Sequence, residues 1–219
     1  MITGAIFDVD GTLLDSMSIW DTIGEDYLRS IGYTPRENLN ETFQTMSLHQ
    51  AARYYQSEYS VGLSLEEIID GVNGLLEDFY RRKAPLKPGA GEFVRELSHR
   101  GVRLCIATAT ERDLVEAALG RHGVLGYFDD ILTCTTVGSG KDQPFIYRQA
   151  LERIGGDRSG VVVFEDALHA ARTAKADGFP VAAVYDSHEK RQEELKTLAN
   201  FYLADFSQFD SFWKFASAL

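Results

Sequence analysis

Ile2-Thr3-Gly4-Ala5-Ile6-Phe7-Asp8-Val9-Asp10-Gly11-Thr12 is the stretch on which the fold turns. Ile2–Phe7 is a short, mostly apolar run without charge, as a strand buried on both faces should be. It ends on a carboxylate. In extended backbone, residues two apart face the same side, so Asp8 and Asp10 can point into one site just past the strand. Two close carboxylates repel, so one stays ionised while the other can carry a proton. That pairing suits a nucleophile and a general acid/base, particularly beside a metal. Gly11-Thr12 allows a sharp turn and supplies a hydroxyl. An Asp- and Gly-rich turn is also common at strand ends for purely local reasons, so the rest of the chain must decide.

Outward from that strand, apolar runs alternate with amphipathic stretches. Strands are expected at Val102–Thr108, Ile131–Thr135, Val161–Phe164, Val181–Tyr185 and Phe201–Ala204. Helices are expected at Gly89–Arg100, Glu111–Arg121, Gln143–Ile154, Ala167–Ala176 and Glu189–Leu198. This alternation predicts an α/β protein with a Rossmann-like parallel sheet core and helices on both faces. Residues 16–85 break the rhythm: Ile19/Ile23/Tyr27, Leu48/Ala51/Ala52/Tyr55 and Ile68/Val72/Leu75/Leu76/Phe79 have helical spacing, with no convincing strand between. Pro85 and Pro88-Gly89 mark the return. The expected organisation is a core of residues 1–15 and 86–219 with an all-helical domain inserted at 16–85. A length of 219 residues, against about 150 per domain, accommodates this.

Four constellations carry chemistry. Besides Asp8/Asp10, Thr108 closes the second strand, and its hydroxyl with the helix-start amides, that of Ala109 included, could form a small anion site. Lys141, in Gly138-Ser139-Gly140-Lys141, lacks the upstream Gly and following Ser/Thr of a nucleotide P-loop, yet lies where a helix begins and a cation is disfavoured. Glu165-Asp166 directly follow a buried strand and, beside Asp8 and Asp10, would make an oxygen-rich nest for Mg²⁺. Singly, these could be a helix cap at Thr110, a solvated loop lysine and a helix cap at Asp166. Together they fall at or just past the C-terminal ends of successive strands, where open α/β sheets bind ligands.

With those residues in place, the sequence resembles the haloacid dehalogenase-like superfamily, in its phosphatase and β-phosphoglucomutase-like branch. Phe7–Ser16 looks like the first motif of that family, Thr108 the second, Lys141 the third and Glu165-Asp166 the fourth, with the helical insertion where the family has a cap domain. The resemblance implies that Asp8 attacks phosphorus to form an aspartyl-phosphate and that Asp10 acts as general acid and then base. It implies Mg²⁺ held by Asp8, the Asp10 carbonyl and Asp166, with Glu165 close by or through water, and a phosphoryl group bound by Thr108, Ala109 and Lys141. Asp10 excludes the dehalogenase chemistry, because a halide leaving group needs no proton.

The resulting expectation is a Mg²⁺-dependent phosphatase acting on a small phosphomonoester. A sugar phosphomutase is the alternative; mutases of this branch carry a His after the first motif, and here Ser18-Ile19-Trp20 stands there with no His before His49. A non-catalytic interaction protein is a third reading, motivated by Phe201, Tyr202, Phe206, Phe209, Phe212, Trp213 and Phe215, although an aromatic helix closing the core explains these as well. Substrate choice should lie in the insertion, at Trp20, Thr45, Met46, Ser47, His49 and Arg53.

Composition adds limits. With 22 basic and 33 acidic residues the net charge is −11, which disfavours nucleic-acid or anionic-membrane partners but not a small anionic metabolite beside a bound cation. No apolar run reaches the roughly 18 residues of a membrane span, and the N-terminus lacks the basic region of a signal peptide. Cys105 and Cys134 read as reduced thiols in buried strands. A cytoplasmic protein is expected, with a monomer favoured.

Overall fold

β1 (Gly4–Phe7) is buried along its whole length and lies inside the sheet rather than at its edge. The computed structural model describes residues 1–37, 39–43, 46 and 48–219, with backbone only at 40 and 41. From β1 the chain enters four helices: α1 (Ile19–Ser30), α2 (Leu39–Phe43), α3 (Leu48–Tyr59) and α4 (Leu65–Arg82). It then runs through α5 (Ala90–His99), β2 (Arg103–Thr108), α6 (Arg112–Arg121), β3 (Asp130–Thr133), α7 (Cys134–Val137) and α8 (Phe145–Ile154). β4 (Val161–Glu165), α9 (Leu168–Ala176), β5 (Val181–Val184), α10 (Gln192–Leu198), β6 (Phe201–Leu203) and α11 (Phe209–Ala216) complete it. Two compact units result: Met1–Ser16 with Ala84–Leu219, and Met17–Lys83.

In the first unit all six strands are parallel, in the order β3-β2-β1-β4-β5-β6. The order reverses between β1 and β4, which opens a crevice at their C-terminal ends. Phe7 is level with Ile106 of β2 and Phe164 of β4, so Asp8, Thr108 and Glu165 emerge at one edge. Side chains alternate as extended strands require. Ala5, Phe7, Leu104, Val162 and Phe164 face α5 and α11, whereas Ile6, Cys105, Ala107, Val161 and Val163 face α8 and α9. Phe7 stacks on Phe164 at 4.1 Å between centroids, and Phe93 of α5 meets Phe164 edge-on at 5.6 Å. Each such pair contributes about 1 kcal/mol beyond the area it buries.

The C-terminal aromatics complete this core. Phe206 and Phe212 are buried, and both pack on Phe93. Phe209 and Trp213 stack on each other, and the Arg100 guanidinium lies 5.0 and 4.7 Å from their ring centroids. The aromatic stripe is thus a closing helix.

Two local expectations need correction. The third strand stops at Thr133, because the Thr133 and Thr136 side chains and backbones cap one another and start α7 there. Cys134 is therefore the first residue of a short, partly exposed helix, not a buried strand residue; Cys105 is a buried strand thiol, and both are free. Thr110 does not cap α6 either: the cap position is Glu111, and the Thr110 hydroxyl is committed elsewhere.

The second unit is helical throughout. Ser64 accepts from the Glu67 amide while the Glu67 side chain accepts from the Ser64 amide, a capping box that starts α4. Glu66 and Glu67 in its first turn and Arg81 and Arg82 in its last complement the helix dipole. Ile23, Tyr27, Leu28, Ala52, Tyr55, Ile68 and Val72 form its core. Among the described residues no helix is long and apolar enough to cross a membrane.

Candidate active site

The turn after β1 is built around one carbonyl. Val9 O accepts from the amides of Thr12, Leu13 and Leu14, and Gly11 N donates to Leu14 O. Gly11 sits at φ +74°, and a Cβ there would lie 2.3 Å from Asp166 Oδ2. Only glycine meets both demands. This close approach lets Thr12 Oγ1 donate to Asp166 Oδ1 at 2.9 Å, so the first loop reaches across to the end of β4.

Asp8, Glu165 and Asp166 form a buried cluster whose carboxylate oxygens lie within 4.8 Å of one another. Asp166 is not a helix cap, because the cap position of α9 is Ala167. Lys141 is buried too: its ammonium is paired with Asp8 Oδ1, and with Glu165 Oε1 at 2.7 Å. It is not a solvated loop lysine. Tyr147 of α8, whose ring is fully buried, donates its hydroxyl to the same Oε1 at 2.8 Å.

Electrostatics follow from burial. Asp8 is pushed up to about 7, mainly by loss of water and then by the charges of Glu165 and Asp10, against the pull of Lys141. Asp166 is pushed up to about 7 by burial and the Asp8 charge, with the Thr12 hydrogen bond opposing. Burial raises Glu165 as well, opposed by Lys141 and Tyr147. For Lys141 burial works against the ammonium, but Asp8 and Glu165 outweigh it and keep it charged. Three carboxylates against one ammonium leave the cluster short of positive charge, and Glu165 Oε2 is buried without a hydrogen-bond partner. An oxygen-only, acid-rich set of this kind fits a hard divalent cation.

Asp10 is not one of the three clustered carboxylates, although its charge reaches Asp8. Ser16 Oγ donates to its Oδ1 at 2.6 Å and Thr110 Oγ1 to its Oδ2 at 2.5 Å. Thr108 is fully buried at the end of β2, its hydroxyl accepting from the Thr110 amide at 3.1 Å, while Ala109 between them is exposed. Two carboxylates two residues apart therefore have different direct partners: Asp8 pairs with the Lys141 ammonium, and Asp10 accepts from the hydroxyls of Ser16 and Thr110.

This arrangement matches known proteins. The haloacid dehalogenase-like hydrolase profile matches residues 5–184. The chain belongs to the haloacid dehalogenase-like hydrolases. Among curated relatives of this hydrolase, the "Probable pseudouridine-5'-phosphatase" of Drosophila melanogaster is 30% identical over 214 residues, 94% of this chain and 91% of that protein. Hexitol phosphatase B of Escherichia coli O157:H7 is 25% identical over 209 residues, 94% of each. Among solved structures, CbbY from Rhodobacter sphaeroides in complex with phosphate superposes with a TM-score of 0.73 at 25% identity, over 95% of this chain and 96% of that one.

The helical unit of this hydrolase has a cavity of its own, of about 510 Å³. Trp20 and Met46 line it, with Phe43, Tyr55, Leu76 and the polar Asp21 and Asn73. His49 and Arg53 do not line it; they are exposed one turn apart on α3. Thr45 and Ser47 lie outside the described residues. The sequence reading missed Tyr147, and it missed Ser16 and Thr110 as partners of Asp10. A tyrosine on the buried stripe of α8 was the available signal for the first, because a buried phenol needs an acceptor.

Proposed function

We propose that this hydrolase is a Mg²⁺-dependent phosphatase that releases phosphate from a small phosphomonoester through an aspartyl-phosphate on Asp8. The observation that carries the reading is Asp8 itself: a buried carboxylate ion-paired to Lys141, beside Glu165 and Asp166, at the sheet's switch point. A carboxylate so held is oriented to attack, and the charged Lys141 is placed to neutralise an equatorial phosphoryl oxygen. Thr108 and the amide of Ala109 would receive the remaining oxygens. Asp10 would protonate the leaving oxygen and then take the proton from the hydrolytic water, the separate task its surroundings suit. Asp8, Glu165 and Asp166, with the Asp10 carbonyl, would hold Mg²⁺, which supplies charge neutralisation to the transferring group.

The phosphatase names of both curated relatives support hydrolysis as the outcome. We take residues 17–83 to be a substrate-selecting cap, with Trp20 and Met46 as its contribution to selectivity. The proposed working form is a cytoplasmic monomer without nucleic acid or membrane, in keeping with its net charge of −11.

A phosphate-release screen over a metabolite panel with and without Mg²⁺, using wild type and Asp8→Asn, tests the reading. Release should need the cation and vanish in the variant. Robust turnover by Asp8→Asn removes Asp8 as nucleophile; interconversion of sugar phosphates without release replaces hydrolysis by mutase chemistry.

A further inference from the structure

Glu165 has an asymmetry that the chemistry above does not use. Its Oε1 accepts two hydrogen bonds, from Lys141 Nζ at 2.7 Å and Tyr147 OH at 2.8 Å. Its Oε2 is buried and accepts none. A carboxylate oxygen offers two in-plane lone pairs. Oε1 has both in use, so everything Glu165 can still bind must be bound at Oε2.

The second donor does not come from the strand-end loops. Tyr147 projects from α8, on the sheet face opposite α5 and α11, and its ring packs on Phe179 at 6.3 Å between centroids. The nearest other acceptor, Ala170 O, is 3.5 Å from its hydroxyl, so the proton goes to Glu165. Lys141 Nζ divides its donors between Asp8 and Glu165. Tyr147 adds a second donor at the same oxygen, and two donors along the in-plane lone pairs of Oε1 fix the direction in which the carboxylate lies.

We propose that Tyr147 is a positioning residue for the cation site: it pins Oε1 of Glu165 so that Oε2 stays turned into the cluster with Asp8 and Asp166. The inference rests on the metal reading above. Tyr147 touches no reacting atom; it acts through Glu165. Groups that orient the ligands of a metal typically govern its affinity by ten- to a hundredfold.

The test is calorimetric titration of Mg²⁺ and Mn²⁺ into wild type, Tyr147→Phe and Phe179→Leu, without substrate, followed by phosphate release at limiting and saturating Mg²⁺. The phenylalanine variant keeps the ring and loses only the hydroxyl; the leucine variant disturbs its packing and keeps the hydroxyl. We expect Tyr147→Phe to weaken cation binding about tenfold, with turnover recovered at saturating Mg²⁺, and Phe179→Leu to bind the cation as wild type does. Unchanged affinity in Tyr147→Phe overturns the proposal, as does equal weakening in both variants or a loss of turnover that saturating metal does not recover. If wild type itself binds no divalent cation, the metal reading fails and this inference falls with it.

Discussion

Thr110 Oγ1 lies 2.5 Å from Oδ2 of Asp10, although one hundred residues separate them in the chain. Because Ser16 occupies Oδ1, the Asp10 carboxylate is fixed in both position and rotation. If Asp10 delivers a proton to the leaving oxygen, its aim depends on Thr110. Thr110→Val should slow hydrolysis of alkyl phosphates about ten- to a hundredfold and barely affect nitrophenyl phosphate, whose leaving group needs no proton. Thr110→Ser should restore the alkyl rate. Equal losses on both substrates would remove the positioning role.

The raised carboxyls predict competition between protons and metal. In the metal-free protein Asp8 and Asp166 are both pushed up to about 7, so below that pH the cation must displace protons. Mg²⁺ affinity should fall steeply from pH 8 to pH 6, with protons released on binding. The sign for stability is the reverse of a paired carboxylate. A folded-state pKa above the unfolded one means that the native state binds more protons between about pH 4 and pH 7. The metal-free protein should therefore melt at a higher temperature at pH 5.5 than at pH 8. Calorimetric titration in two buffers, with thermal melts, checks both.

Asp186 gives the opposite sign. Lys87 Nζ is 2.9 Å from its Oδ2, and the His188 amide donates to its Oδ1 at 2.9 Å. Burial pushes this carboxyl up, but those donors outweigh it and hold it below the usual range. Its contribution is complete above about pH 4 and is lost as pH falls through the lowered value. Asp186→Asn should cost about 2 kcal/mol at pH 7, with the difference shrinking in acid; denaturant melts at pH 7 and pH 3.5 measure it.

Gly11→Ala should be costly twice. The positive φ alone costs about 1–2 kcal/mol for an L-residue, and the new methyl would displace Asp166 Oδ2, 2.3 Å away. Weakened Mg²⁺ binding should accompany the lower melting temperature; a loss of stability with unchanged affinity would mean that the loop yields without moving Asp166.

Phe93→Ala tests the aromatic core. Its ring meets Phe164, Phe206, Phe209 and Phe212 at 5.0–5.6 Å. The expected loss is about 3–5 kcal/mol, read from urea denaturation.

The legible residues share one property. Asp8, Thr108, Glu165 and Asp166 end apolar strands, and a carboxylate or hydroxyl directly after such a run needs a reason to be there. Lys141 was legible only through its place in the order of strand ends and through the family resemblance; alone it reads as a loop lysine, and α8 begins four residues later, at Phe145. Strand-to-helix alternation gave the sheet for the same reason, since buried parallel strands show as unbroken apolar runs. Tyr147 stayed hidden because one hydroxyl on an apolar helix face looks like core. Ser16 and Thr110 stayed hidden because their partner is named by distance, not by spacing. Cys134 was misread because a capping threonine pair ended the strand inside an apolar-looking stretch.

The position of β1 constrains the order of events during synthesis. Its neighbours begin at Arg103 and Val161, and the aromatic lid over its face lies within residues 206–216. Met17–Lys83 is thus translated before β1 has a strand to pair with, and Thr12 precedes its partner Asp166 by more than 150 residues. Asp8 precedes the groups that hold it, Lys141 and Glu165, by more than 130 residues, so the cluster closes only after both have been made.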